Sequence, residues 1–167
     1  LIKRDPLDQN FNPNDRETLI ICRHHYKTIP SALPIFLTAV DWSDPNHVEE
    51  AHRMLKAWTP LSAEEALCLL DARFADEAVR AYAVERINTA QDDELNLYLL
   101  QLTMALAYEP MHLSCLGEML IERSLANPHT VGHEFYWLLK SQLHVKATFE
   151  RYTLLLREFC MLCGSFR

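Results

Sequence analysis

Three glycines, at positions 117, 132 and 164, supply all the backbone freedom of this kind in a chain of 167 residues. Eight prolines sit mostly between stretches of apolar periodicity, so the chain reads as helices joined by short connections. Asn12-Pro13 is an N-cap followed by proline at the first helical position, opening a helix to about Lys27. Pro30 and Pro34 leave room for one short helix ending near Trp42. Asp44-Pro45 is a second cap-and-proline start, with Val48, Ala51, Met54 and Leu55 at helical spacing. Ser62 and Glu65 form a capping box that opens a helix through Leu70. Asp76 caps the next, whose apolar face is Val79, Ala83, Val84 and Ile87. Asp92 or Asp93 starts a long helix through Ala107, with Leu95, Tyr98, Leu99, Leu102 and Leu106 as its stripe. Three more are expected at roughly 112–126, 129–144 and 146–162, with Gly164 standing where a C-cap glycine would. No segment alternates as a strand does. The expectation is an all-α chain of about nine helices.

Helix starts near Pro45, Glu77, His112 and Lys146 recur at roughly 32–35 residues, the period of helix-pair repeats. Such pairs bury their apolar faces only by stacking on one another. The run from Asp76 to Val84 has the Asp…Val-Arg…Ala-Val layout common in HEAT-type repeats. There Asp76 caps the helix, Val79 packs, and Arg80 reaches carbonyls or acids of the adjoining repeat, here Asp71 or its neighbours. The expected architecture is a right-handed α-solenoid of HEAT/armadillo-like pairs in preference to a closed bundle.

Sixteen basic residues against 23 acidic ones give a net charge of −7, the opposite of a nucleic-acid footprint. No apolar run approaches the roughly 20 residues that span a bilayer, so no membrane insertion is expected. Five cysteines without framework spacing read as reduced thiols in a cytosolic setting. A glycine-rich phosphate loop is absent, as are the catalytic elements of protein kinases. Cys160 and Cys163 lack the second pair of soft ligands that zinc needs, and read as thiols packed inward. His129 and His133 have a spacing that can hold a metal, but a capping or packing role is favoured. His24, His25, His47 and His52 read as exposed or satisfied polar positions. The acids of Glu49-Glu50, Glu64-Glu65 and Asp92-Asp93-Glu94 complement helix dipoles on solvated faces. Trp137, with Val131 and Leu138, is assigned to the core, leaving another ring of Phe135-Tyr136-Trp137 to face a further domain. No catalytic, cofactor-binding or metal-ligating residue is expected.

Over essentially its full length the sequence resembles the helical accessory domain of phosphoinositide 3-kinases. The resemblance rests on Asp5-Pro6-Leu7, Arg23-His24-His25-Tyr26, Val40-Asp41-Trp42, Trp58, Leu69-Leu70-Asp71 and Val79-Arg80-Ala81-Tyr82-Ala83-Val84. It continues through Asp92-Asp93-Glu94-Leu95, Tyr98-Leu99-Leu100-Gln101-Leu102 and Tyr108-Glu109. It ends on Gly132-His133-Glu134-Phe135-Tyr136-Trp137-Leu138-Leu139-Lys140-Ser141, Arg151-Tyr152 and Cys163-Gly164. The stretch carrying Gly132, His133 and Trp137 is closest to class I enzymes. The resemblance implies a single accessory domain over 1–167, with 1–11 a linker from a preceding domain. It implies a scaffold packed against lipid-binding and kinase domains, with no cofactor of its own. The parent enzyme would use ATP and magnesium on the 3-hydroxyl of an inositol lipid, in the cytoplasm and at membranes to which it is recruited. A start at Leu1 without methionine suggests a piece of something longer. Rival readings are an accessory domain of a phosphatidylinositol 4-kinase or class III enzyme, or a free-standing helical-repeat adaptor that binds peptides.

One departure stands out. Where class I enzymes place acids that meet a regulatory subunit, this chain has Gln9 and Asn12. The acids at hand are Asp8 and Asp15, which either make a weaker version of that contact or merely favour the first helix N-terminus.

Overall fold

The computed structural model describes residues 13–112 and 114–165. Among them are ten α-helices and no strand: α1 (Pro13–Ile21), α2 (Arg23–Tyr26), α3 (Leu33–Ala39), α4 (Pro45–Ala57), α5 (Ala63–Ala66), α6 (Glu77–Ile87), α7 (Asp92–Ala105), α8 (Cys115–Ala126), α9 (His133–Gln142) and α10 (Phe149–Ser165). The tenth helix arises because the first expected one is two, α1 and α2, parted at Cys22. Short 3₁₀ turns at Pro30–Ala32, Leu67–Leu70 and Leu106–Tyr108 lead into α3 and extend α5 and α7.

Capping chemistry sets most of the starts. Asp44 Oδ1 accepts from the Asn46 amide at 2.9 Å. Ser62 and Glu65 close both bonds of the capping box. Asp76 Oδ1 accepts from the Val79 amide at 3.0 Å. Two starts fall three residues later than the spacing suggests. Ser114, whose hydroxyl accepts from the Gly117 amide at 3.2 Å, caps α8 and leaves His112 in the preceding loop. Turns through Thr148 delay α10 to Phe149.

A five-residue π-turn, Pro128–Gly132, feeds α9 where a plain helix start was expected. The Gly132 amide reaches back to the Asn127 carbonyl at 3.0 Å. Gly164 also departs from expectation: α10 continues through it to Ser165, and no described glycine has positive φ.

The helices pack as two rows. α4, α6, α8 and α10 lie side by side in one, α7 and α9 adjoin in the other, and α9 bridges to α8 and α10. This order is compatible with stacked helix pairs. One continuous core joins the rows. It runs from Leu33, Phe36, Leu37 and Trp58 through Leu69, Val79, Leu95, Leu99 and Leu102 to Leu120, Val131, Phe135 and Tyr152. Trp58 stacks on Phe36 with centroids 5.4 Å apart and donates its indole N–H to the Ile29 carbonyl at 2.9 Å. That bond ties the first hairpin of the chain to the end of α4.

Candidate functional site

Polar side chains recur at each junction between successive helix pairs, and most of them are arginines. In α2, Arg23 Nε donates to Glu50 Oε1 of α4 at 2.8 Å. That hydrogen bond holds the Glu50 carboxyl below the usual carboxylate range. Next, His52 of α4 places Nε2 at 3.0 and 3.1 Å from the two carboxylate oxygens of Asp76. Asp76 therefore both caps α6 and anchors α4 to it. Val79, one turn on, is fully buried.

Arg80 lies at the centre of the stack with its side chain 4% exposed, equal to that of Glu109. Nε and Nη2 donate to Glu109 Oε1 at 2.9 and 2.6 Å, and Nη1 donates to the Phe74 carbonyl at 3.0 Å. A longer bond, 3.4 Å, goes to the Asp71 carbonyl. The expected reach to the preceding turn is present, through main-chain carbonyls. The acid is a different one. Asp71 gives its carboxylate to Arg73 at 2.8 Å, which lowers its pKa, and the partner of Arg80 comes from 29 residues downstream.

Glu109 is held from a second side. Arg151 of α10 donates Nη1 to the Leu106 carbonyl at 2.6 Å and also to the Glu109 carbonyl. Its neighbour Tyr152, fully buried, donates its hydroxyl to the Thr103 carbonyl at 2.8 Å. Burial pushes the Tyr152 pKa up, so the phenol stays protonated as that donor. Arg123 of α8 closes the remaining junction, donating to Asp92 Oδ1, to the Asn88 carbonyl at 3.0 Å and to the Ala90 carbonyl at 2.9 Å. Asn127 Nδ2 adds a bond to Asp92 Oδ2 at 3.1 Å. Arg123, then Asn127, holds Asp92 below its usual range. Glu50 and Asp92 are thus bound acids, where the sequence suggested solvated ones.

The segment from Gly132 to Ser141 divides by exposure. Gly132, Phe135 and Leu139 face inward. A Cβ at Gly132 would stand 2.6 Å from the Ser124 carbonyl oxygen, so only glycine permits α8 and the π-turn to approach this closely. Trp137 corrects the sequence reading: it is 53% exposed and outside the core, while Val131 is buried and Leu138 packs at its edge. Position decides this. One turn of helix separates His133 from Trp137, on the face opposite Phe135. The Trp137 indole donates to His133 Nε2 at 3.2 Å, and Lys140 Nζ lies 5.0 Å from the ring centroid. Cys160 and Cys163 are exposed as well, contrary to the inward packing expected of them. Asp8 lies outside the described residues, and of Asp15 only the backbone, in the first turn of α1, is described. Among the described residues no three His, Cys, Asp or Glu side chains are grouped to hold a metal.

The arrangement of these arginines and their partners fixes the register of one helix pair on the next. The family described as "Phosphoinositide 3-kinase family, accessory domain (PIK domain)" matches residues 1–166. This chain belongs to that family.

Relatives of the PIK domain bear the same family name. Phosphatidylinositol 3-kinase 2 of Dictyostelium discoideum is 44% identical over 167 residues, which are 100% of this chain and 9% of the relative. Phosphatidylinositol 3-kinase 1 of the same organism is 39% identical over 98% of this chain and 10% of its own length. Phosphatidylinositol 3-kinase pik3 of Schizosaccharomyces pombe is 34% identical over 80% of this chain and 18% of its own. The PIK domain thus spans about a tenth of the length of the first two. Within it, Arg80 was legible from its repeat motif. Arg123 carried no local signal, because its partners lie 31 to 35 residues upstream. Glu109 and Arg151 appeared only within the resemblance, without a role.

Proposed function

We propose that this PIK domain is the rigid spine of a phosphoinositide 3-kinase, against which lipid-binding and kinase domains pack. The parent enzyme transfers the γ-phosphoryl group of ATP, with magnesium, to the 3-hydroxyl of an inositol lipid. The observation that carries this reading is the end-to-end match to a kinase accessory domain that makes up about a tenth of each of two relatives. The buried Arg80–Glu109 pair and the Arg151 clamp support the rigid part of it. No helix among the described residues is long and apolar enough to cross a membrane, and access to lipid on this reading is by recruitment from the cytoplasm. On this reading Gln9 and Asn12 stand where class I acids meet a regulatory subunit, and Asp8 and Asp15 offer at most a weaker version of that contact.

The test is a lipid kinase assay on the full-length polypeptide with phosphatidylinositol and its phosphates, identifying the position of the new phosphate. Label at the 3-position is expected. Label at the 4-position, or no lipid kinase activity, overturns the proposal. Charge reversal, Asp8→Lys with Asp15→Lys, is expected to leave inhibition by a regulatory subunit little changed, and tight inhibition abolished by the reversal would restore the full contact.

A further inference from the structure

α10 carries two of the cysteines, Cys160 and Cys163, and both are exposed and free. A thiol kept only for packing is shielded from reagents, whereas one that exchanges must be reached. Three positions apart on a helix, the two side chains share a face, with Cβ atoms about 5–6 Å from each other. Helical rise and radius set their Cα atoms about 5 Å apart, inside the roughly 4.4–6.8 Å that a disulfide spans. The main chain is therefore within range as it stands, and the Cβ atoms must draw in by only about 1–2 Å. Room for that movement lies one residue on, since a Cβ at Gly164 would meet nothing within 4 Å. A separate sign of proximity is the Cys163 pKa, pushed up first by desolvation and then by the Cys160 sulfur. Two thiolates alone do not complete the four-ligand shell that zinc takes, so the chemistry open to this pair is with each other.

We propose that Cys160 and Cys163 are a reversible thiol–disulfide pair, a modification site closed by exchange with a low-molecular-weight disulfide such as that of glutathione. First the thiolate of one cysteine attacks a sulfur of the small disulfide, forming a mixed disulfide and releasing one small thiolate. The other cysteine's thiolate then attacks the protein sulfur of that mixed disulfide and expels the second small thiolate. The protein pair gives up two electrons and two protons, and the small disulfide takes up both to become two thiols. Position favours the second step, because the attacking thiol stands one helical turn away at high effective concentration. Drawing the Cβ atoms together costs the closed form energy, and exposed disulfides under such load are the readily reduced ones. The bond therefore opens and closes with the thiol–disulfide ratio around it.

The experiment holds the full-length polypeptide in glutathione buffers of rising disulfide fraction. Samples are quenched in acid, remaining thiols are alkylated, and each cysteine is read by mass spectrometry. A bond linking 160 to 163 is expected to form along the series and to return to two thiols in reduced glutathione. In Cys160→Ser and in Cys163→Ser the remaining cysteine is expected to hold at least about ten-fold more mixed disulfide with glutathione than it does in the unsubstituted chain, because the resolving thiol is gone. Both variants replace exposed thiols, and unchanged modification of the half-buried Cys22 and Cys68 verifies their fold. Mixed disulfide at 160 or 163 that is as abundant in the unsubstituted chain as in the variants overturns the proposal. So do thiols that stay free across the series, or a bond from either position to a third cysteine. None of these readouts depends on lipid phosphorylation, so failure here is distinct from failure of the kinase reading.

Discussion

Arg80 is a full charge placed where almost no water reaches, and its guanidinium is satisfied on three sides by Glu109 and two carbonyls. Removing one member of a buried pair leaves the other charged and unpaired, which costs about 3–5 kcal/mol. Arg80→Ala is therefore expected to lower the unfolding free energy by that amount, seen as a lower denaturation midpoint, and by more than the ~1–3 kcal/mol of a single stranded acceptor. An unchanged midpoint would show the pair to be solvated. Gly132→Ala is expected to cost about 1–3 kcal/mol, because its methyl meets a main-chain oxygen that has no rotamer to yield. The acids Glu50 and Asp92 have depressed folded-state pKa values. Their contribution is therefore fully present above the unfolded value, near pH 4, and is lost as pH falls through the folded value. Arg123→Ala is expected to flatten the acid limb of stability against pH, and an unaltered slope would remove Asp92 from the account. Arg80 was readable in the sequence because its repeat motif is local. Its acid was not, since no spacing rule connects α6 to a loop beyond α7.

Helix boundaries were legible wherever a side chain closes a cap within three residues, as at Asp44, Ser62 and Asp76. Boundaries were missed where no such cap stands: at the π-turn before α9, which close approach to the Ser124 carbonyl shapes, at the break at Cys22, and where α10 runs on through Gly164. α9 shows the same limit in its faces, since Phe135, Tyr136 and Trp137 are consecutive rings and only the packing tells them apart. Phe135 meets Phe159 of α10 edge-on at 5.6 Å, whereas Trp137 meets its own helix. Phe135→Ala is expected to cost about 3–5 kcal/mol. Trp137→Ala should stay within about 0.5 kcal/mol, as for other surface substitutions. Equal losses in thermal denaturation would return Trp137 to the core.

On the scale of the whole molecule, the two rows of helices are joined by a core that is apolar among the described residues except at Arg80, Thr103, Glu109 and Ser124. Apolar contact alone tolerates small slips between neighbouring pairs, whereas directional bonds to carbonyls do not. Glu109 is the point where three units meet: its carboxylate belongs to Arg80 of α6, its carbonyl to Arg151 of α10, and its loop precedes α8. Such a junction suits a spine, because a load on one pair passes to the next without repacking. The most direct measurement is native-state hydrogen exchange on the full-length polypeptide bearing Glu109→Gln. Slow amides of α6, α8 and α10 are expected to lose protection together, by a similar factor. Loss confined to the 106–110 loop, with α6 and α10 as protected as before, would contradict a shared junction at Glu109.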